Sequence, residues 1–321
     1  MKPRPTERQQ NETRRSQPVS RHIERVAAVG VGIALLAATG CSIKMMAVNS
    51  LAEVWGEADA VYLADNDPEL IAAALPFNLK TIETLLATSP DHRGLLLSAT
   101  TAFVLYGYGF VEPEADYIED DDWYRAEEIR DRAYRLYMRA YRYGLHGLDV
   151  AHPGFSTLLP IAPAEAVQVL GSEDLELTVW AAAALGASIG AATDEPEATA
   201  DIGVVGAMLN RALELDETYD KGTIHAFLVS YETGRVGGSV DRARDYYERA
   251  LELSGGGRAS IYLSWAESVC VAEQDRAEFV ALVQKVLDYD VDAYPEGRLL
   301  NILAQRRARW LMSRTDDLFL R

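Results

Sequence analysis

The stretches NRALELDETYDKGTIHAFL (Asn210–Leu228) and ERALELSGGGRASIYLSW (Glu248–Trp265) decide how this chain folds. Laid over one another, they place Ala212 above Ala250, 38 residues apart. In each, apolar or alanine positions recur at three- and four-residue spacing, the period of an amphipathic helix. A polar or glycine-rich break follows, and then a second apolar helical run. Outward from this pair, QKVLDYDVDAYPEGRLLNIL brings Val286 into register 36 residues after Ala250. KTIETLLATSPDHRGLLLSA fits at Leu85 and YRLYMRAYRYGLHGL at Ala140. Ala140 and Ala212 are 72 residues apart, twice 36, which places a further unit around LELTVWAAAALGASIG (Leu175–Gly190).

A period of this length, with A-x3-Y-x2-A-L at Ala243, Tyr247, Ala250 and Leu251, resembles the second helix of a tetratricopeptide repeat. Pro90 follows Leu85 by five residues, where that repeat carries its proline. The other units lack the proline, and the Trp and Gly of the first helix are mostly absent, so the units are degenerate. A generic helical bundle is the alternative. No Val-rich alternating run indicates a strand. Asp67-Pro68, Ser89-Pro90-Asp91, Gly144 and Gly255 to Gly257 punctuate the helical runs. The fold class is therefore all-α, a tetratricopeptide-like helical array.

The amino-terminal segment has a different character. Val26 to Gly40 is an uncharged run of 15 residues, shorter than the roughly 20 a spanning helix needs. Before it, Lys2, Arg4, Arg8, Arg14, Arg15, Arg21 and Arg25 outnumber Glu7, Glu12 and Glu24. A basic start, a short apolar run and small residues read as a secretory signal. LAATGC (Leu36–Cys41) resembles the bacterial lipobox, with alanine at position 38 where leucine is usual. That resemblance implies lipidation of Cys41. TRRSQPV lacks the apolar residues that follow a twin-arginine signal. Ser42, not aspartate, follows the cysteine, which favours the outer membrane, facing the periplasm. The expected division is a signal peptide over 1–40, a lipidated amino terminus and first helix over 41–66, and the repeat domain over 67–321.

Of the chain's 31 Lys and Arg and 49 Asp and Glu, seven and three precede Cys41. A chain beginning at Cys41 thus holds 24 against 46, a net charge near −22. Such a surface repels nucleic acid and anionic lipid headgroups. With Cys270 as the only other cysteine, no internal disulfide forms. Cys270 lies in the apolar YLSWAESVCVA and reads as a small buried hydrophobe.

In the repeat register the first helix of each pair lines the concave face. The inward positions are Leu97, Thr101 and Val104 in the first unit, and Ile224, Leu228 and Tyr231 in a later one. Tyr262, Ala266 and Val269 follow, then Arg298, Ile302 and Gln305. A groove for acidic peptide tails needs Lys, Arg and Asn there. This set is mostly apolar and reads as a cleft for an apolar ligand or partner helix, with Leu97, Val104, Ile224, Leu228, Tyr231, Tyr262, Val269 and Ile302 as candidates. The alternative is that they form core. Trp180, Trp265 and the run Tyr134, Tyr137, Tyr141 and Tyr143 read as packing.

Chemistry is not visible. None of His92, His146, His152 and His225 has another histidine at zinc-pair spacing. G-x-S-x-G and the P-loop motif are absent. SGGGR at Ser254 reads as a helix stop. EADYIEDDDW (Glu114–Trp123) lacks the spacing of an EF-hand and reads as a solvated loop. Glu127 and Glu128 are adjacent and point apart on a helix. No enzyme, metal or cofactor is expected.

Several blocks together carry a family resemblance. They are KMMAVNSLAEV closely after Cys41, NDPELIAAALPFNLKTIETLLATSPDHRGLLLSATTAFVLYGYGFV, RALELDETYDKGTIHAFLVSYE, GGSVDRARDYYERALELSGGGRASIYLSWAESV and NILAQRRARWLMSRTDDLFL. Over nearly the whole mature chain they resemble the TatT components, lipoproteins associated with tripartite ATP-independent periplasmic (TRAP) transporters. The resemblance implies a tetratricopeptide-like fold with a hydrophobic cleft, often as a trimer. It also implies partnership with the transporter's solute-binding subunit in delivering an apolar or organic-acid ligand. Ala226 departs from the acidic residue expected after the histidine, which weakens any polar role near His225. A repeat scaffold in outer-membrane assembly is the competing reading.

Overall fold

The computed structural model describes residues 58–192 and 198–320. The signal segment and Cys41 lie outside the described residues. Among the described residues there is no strand. The chain folds as helices joined by short turns, with two π-helical turns set into them.

The helices start where side chains cap them. After α1 (Ala58–Leu63), helix α2 (Pro68–Leu86) begins at Asp67, whose carboxylate accepts the Leu70 N–H at 2.9 Å, with proline in the first turn. Helix α3 (Arg93–Tyr106) is capped by His92, and α5 (Trp123–Ala151) by Asp122. Between them lie a π turn (Gly107–Val111) and α4 (Glu112–Ile118). The single-turn helices α6 (Phe155–Leu158) and α7 (Pro163–Ala166) lead to α8 (Leu175–Ala191). Helices α9 (Ile202–Leu215) and α10 (Thr223–Gly234) form the next pair, and α11 (Val240–Ser254) and α12 (Ser260–Trp265) the one after. Gly255, at φ 56°, ends α11 in the left-handed conformation that glycine tolerates. A second π turn (Ala266–Cys270) follows α12, then α13 (Arg276–Leu287), α14 (Arg298–Ser313) and the short α15 (Thr315–Leu318).

Ala140, Ala212, Ala250 and Val286 fall on α5, α9, α11 and α13, and all four are fully buried. The 72-residue interval from Ala140 to Ala212 does not hold an extra helix pair. It is filled by the rest of the long α5, the single turns α6 and α7, and one full helix, α8, which pairs with α5.

Helix α8 packs closely because its inner face is small. A Cβ on Gly144 of α5 would come within 2.7 Å of the Ala181 Cβ, and one on Gly147 within 2.9 Å of Leu177. Gly144→Val is therefore expected to cost about 1–3 kcal/mol by overpacking, measured as a shift in the urea midpoint. An unshifted midpoint would show that α5 and α8 separate at no cost.

One core groups Leu148, Phe155, Leu185, Met208, Leu209, Ile224 and Leu228 from α5 to α10. A second groups Trp265, Phe279, Val283, Leu311 and Phe319 at the carboxyl end. Trp265 is fully buried and stacks on Tyr247 at 4.8 Å between centroids, and Cys270 is 1% exposed, its thiol pushed up to about 12 by burial. The run Arg93–Ile118 is long and apolar enough to cross a bilayer, but α2, α5 and α8 enclose it, which explains a helix apolar on most sides.

The array curls back on itself. Helix α14 packs on α12 and α13, and also returns to α1 and α2. Leu299 of α14 joins Ile71 and Leu75 of α2 in a buried cluster, with Leu105, Phe110 and Leu303 against it. The last long helix thus contacts the first two, which closes the succession of helix contacts into a ring.

Candidate functional site

The sequence Gly107-Tyr108-Gly109 sits at the first π turn, a feature common at functional sites because it re-aims side chains. Each glycine admits a neighbour. A Cβ on Gly107 would meet the Tyr137 ring of α5 at 2.6 Å, and one on Gly109 would meet Leu303 of α14 at 3.0 Å. Between them Tyr108 is 57% exposed, yet burial is the main cause that pushes its hydroxyl up to about 12. Protein groups thus crowd the Tyr108 hydroxyl although the side chain keeps accessible surface.

Charged groups surround it. The Glu267 and Glu112 carboxylates raise the Tyr108 hydroxyl further, while Arg307 acts in the opposite sense. Glu267 lies in the second π turn, so both π turns contribute to one site. Burial raises the Glu112 carboxyl, opposed by the Tyr137 hydroxyl, which donates to it at 2.5 Å. Arg307 of α14 donates to Glu267 at 2.7 and 3.1 Å and to Asp116 of α4 at 2.6 Å.

These contacts continue into the seam that closes the ring. Arg306 reaches Glu114 at 3.0 Å, Arg314 pairs with Asp120, and the Tyr117 and Trp310 rings lie 5.8 Å apart. Arg130 of α5 binds Asp116 and Glu119 from the other side. The acidic stretch EADYIEDDDW is thus not a solvated loop. Its first half is helix α4, and Glu114, Asp116, Glu119 and Asp120 pair with arginines of α5, α14 and the turn after α14. Among the described residues no group of His, Cys, Asp and Glu could hold a metal ion.

The eight candidate cleft residues are dispersed. Ile224 and Leu228 are fully buried in the larger core, with Leu97 and Tyr231 half-buried against it. Tyr262 and Val269 belong to the carboxyl-terminal core. Val104 is buried on α3, and Ile302 is half-buried on α14. Consecutive first helices bury one edge against their neighbours, so a register that predicts concave positions also collects core positions. Tyr108, Glu112, Glu267 and Arg307 were not among the candidates. Their signals were a tyrosine between two glycines and a single glutamate inside YLSWAESVCVA.

The histidines serve structure. His92 caps α3, His146 meets Asp91, and His152 meets Asp174. His225 is 5% exposed, its Nε2 lies 3.5 Å from Glu217, too long for a good hydrogen bond, and burial lowers its pKa.

The model of one protein family, the TRAP transporter T-component, matches residues 64–319, from the end of α1 through the last helix. The chain belongs to the TRAP transporter T-component family. An uncharacterized protein of Treponema pallidum (strain Nichols) is 29% identical over 318 residues, covering 92% of this chain and 98% of its own length. The match to the T-component family spans both π turns and all of the seam. The T-component is an accessory component of TRAP transporters, which associates the family with the cell envelope.

Proposed function

We propose that this T-component is a non-catalytic lipoprotein, anchored through Cys41 on the periplasmic side of the outer membrane. It docks the solute-binding subunit of a TRAP transporter and holds an apolar or organic-acid ligand between its helices. Stable anchoring requires more than one acyl chain, as on a fully processed lipoprotein cysteine. What supports the ligand half of the reading is Tyr108, 57% exposed between two glycines of the first π turn, its hydroxyl raised by burial. Sites for small ligands are concave, largely apolar and set with a few polar groups. The acidic composition, near −18 over the whole chain, favours a protein partner over nucleic acid.

The test is a pull-down of the tagged chain from its own envelope, with mass spectrometry of co-purifying proteins and small molecules. A solute-binding subunit together with an apolar molecule is the expected result. Envelope-assembly proteins with no small molecule would sink the carrier reading in favour of an assembly scaffold.

A further inference from the structure

Helix α5 carries a basic face on an acidic molecule. From Arg132 to Leu148 the sequence holds four arginines and neither Asp nor Glu, in a chain whose Asp and Glu outnumber Lys and Arg by 49 to 31. The arginines stand at 132, 135, 139 and 142, a three- and four-residue spacing that places them on one side of the helix. At 1.5 Å per residue the row is about 15 Å long. The opposite side of α5 buries Ala133, Tyr137, Ala140 and Gly144, which gives the row a packed support. Two of the four arginines are committed. Arg132 donates to the Tyr106 hydroxyl at 3.0 Å, and Arg139 pairs with Glu83 and lies over the Phe103 ring. Glu83 also holds Lys80 of α2 at 2.5 Å, so this carboxylate sits between two cations. Arg135 and Arg142 are exposed and, among the described residues, have no hydrogen-bond or ion-pair partner. The acids at the amino-terminal end of the row are Asp131 and Glu128, and Glu128 is held by Arg125 at 2.7 Å.

We infer that the arginine row of α5 is a docking face for a protein partner that presents carboxylates at matching spacing. A guanidinium binds a carboxylate through two parallel N–H bonds, which fixes orientation as well as attraction. An acidic partner is repelled by the chain as a whole and meets favourable charge along α5, so the row also selects how the two approach. An anionic bilayer offers phosphates to the same groups. Basic segments that hold to such bilayers use clusters of about four to eight cations, and only Arg135 and Arg142 are uncommitted here. The net charge of −18 further opposes a broad anionic surface, whereas a protein partner can engage the row alone. The inference rests on the docking half of the reading above. It adds where the solute-binding subunit sits and which charge its docking face carries.

The test uses the full chain and three probes. One is a fluorescein-labelled helical peptide with glutamates at the same three- and four-residue spacing, read by anisotropy against its glutamine counterpart. The second is the purified solute-binding subunit of the same cell's TRAP transporter. The third is phosphatidylglycerol vesicles, read by co-sedimentation against phosphatidylcholine vesicles. The glutamate peptide and the subunit are expected to bind, and the glutamine peptide is not. Arg135→Glu should weaken both bound probes about fivefold. Arg309→Glu, the same charge change at an exposed position of α14, should leave them nearly unchanged. Raising salt from about 0.1 M to about 1 M, which shortens screening from about 10 Å to about 3 Å, should release the peptide. Circular dichroism checks that both variants keep the fold. Equal weakening by Arg135→Glu and Arg309→Glu overturns the inference, because net charge alone would then act. Arg135-dependent binding to phosphatidylglycerol vesicles, with no binding of the glutamate peptide, overturns it in favour of a lipid surface. A subunit that binds and ignores Arg135→Glu also overturns it, and leaves the docking reading standing. A peptide bound through Arg135 beside a subunit that does not bind sinks the docking reading and keeps the inference.

Discussion

Asp174→Asn is expected to lower the melting temperature by roughly 6–12 °C, corresponding to a loss of about 3 kcal/mol. Asp174 is fully buried and has three partners. Arg93 donates to one oxygen at 2.5 Å, while His152 Nε2 and the Gly171 N–H reach the other at 2.8 and 2.9 Å. The carboxylate thereby joins the start of α3, the end of α5 and the turn before α8. Burial alone would raise its pKa, but the Gly171, His152 and Arg93 contacts outweigh burial and hold it below the usual carboxylate value. Asparagine keeps the shape and removes the charge, leaving Arg93 without its counter-ion. The figure sits at the low end for a broken buried pair because the Arg93 side chain is 31% exposed. The pH dependence has a definite sign. A depressed folded-state pKa stabilises above the unfolded value, about 3.9, and that gain disappears as pH falls through the folded value. The gap between wild type and variant should therefore be constant near neutrality and close below about pH 4. Thermal scans from pH 7 to pH 3 measure it, and a gap that widens in acid would refute the assignment.

Much of the array was legible because helices announce their ends locally. Asp67-Pro68 starts α2, Gly255 ends α11, and the alanines at the repeat positions are buried as their spacing requires. Trp265 and Cys270 are core for the same reason. What stayed hidden is non-local. Nothing in NILAQRRARW shows that Arg306 and Arg307 meet Glu114 and Asp116, some 190 residues earlier. Ring closure therefore had no sequence signal, and the acidic stretch looked solvated. The π turns were equally hidden, since one extra residue in a helical turn leaves the apolar period nearly unchanged while it rotates Tyr108 and Glu267 to new directions. Ile224 and Leu228 show the limit of register arguments. The periodicity puts them on an inner edge but does not separate a concave surface from the seam between neighbouring helices.

Arg307→Ala is expected to open the ring locally, speeding amide exchange in α4 and the amino-terminal half of α14 by about 100-fold. Arg307 is 23% exposed and holds Glu267 and Asp116 together. Both carboxylates lower their energy by its presence, and its own protonated form is favoured in turn. Truncation removes the cation that Glu267 and Asp116 share, leaving Glu267 without its arginine and Asp116 with Arg130 alone, at a cost of about 3 kcal/mol. A tenfold change in an opening equilibrium corresponds to about 1.4 kcal/mol, which gives the 100-fold figure. The effect should stay local because α14 is held independently, through Ala304, Ala308 and Leu311, in the carboxyl-terminal core. The seam opposite is thinner, formed by Leu299 with Ile71 and Leu75 and by the ion pairs. Arg314→Ala is the matched control. Its pair with Asp120 is a surface contact, in which the aspartate side chain is 67% exposed, and such pairs contribute about 0–1 kcal/mol. Hydrogen exchange with mass spectrometry should show fast exchange in α4 and α14 for Arg307→Ala, little change for Arg314→Ala, and unchanged protection in α8 and α9 for both. Uniform acceleration across the chain would mean that Arg307 supports the whole fold. No acceleration in α4 would mean that the apolar contacts of Leu299 with Ile71 and Leu75 hold α14 against the amino-terminal helices without the ion pairs.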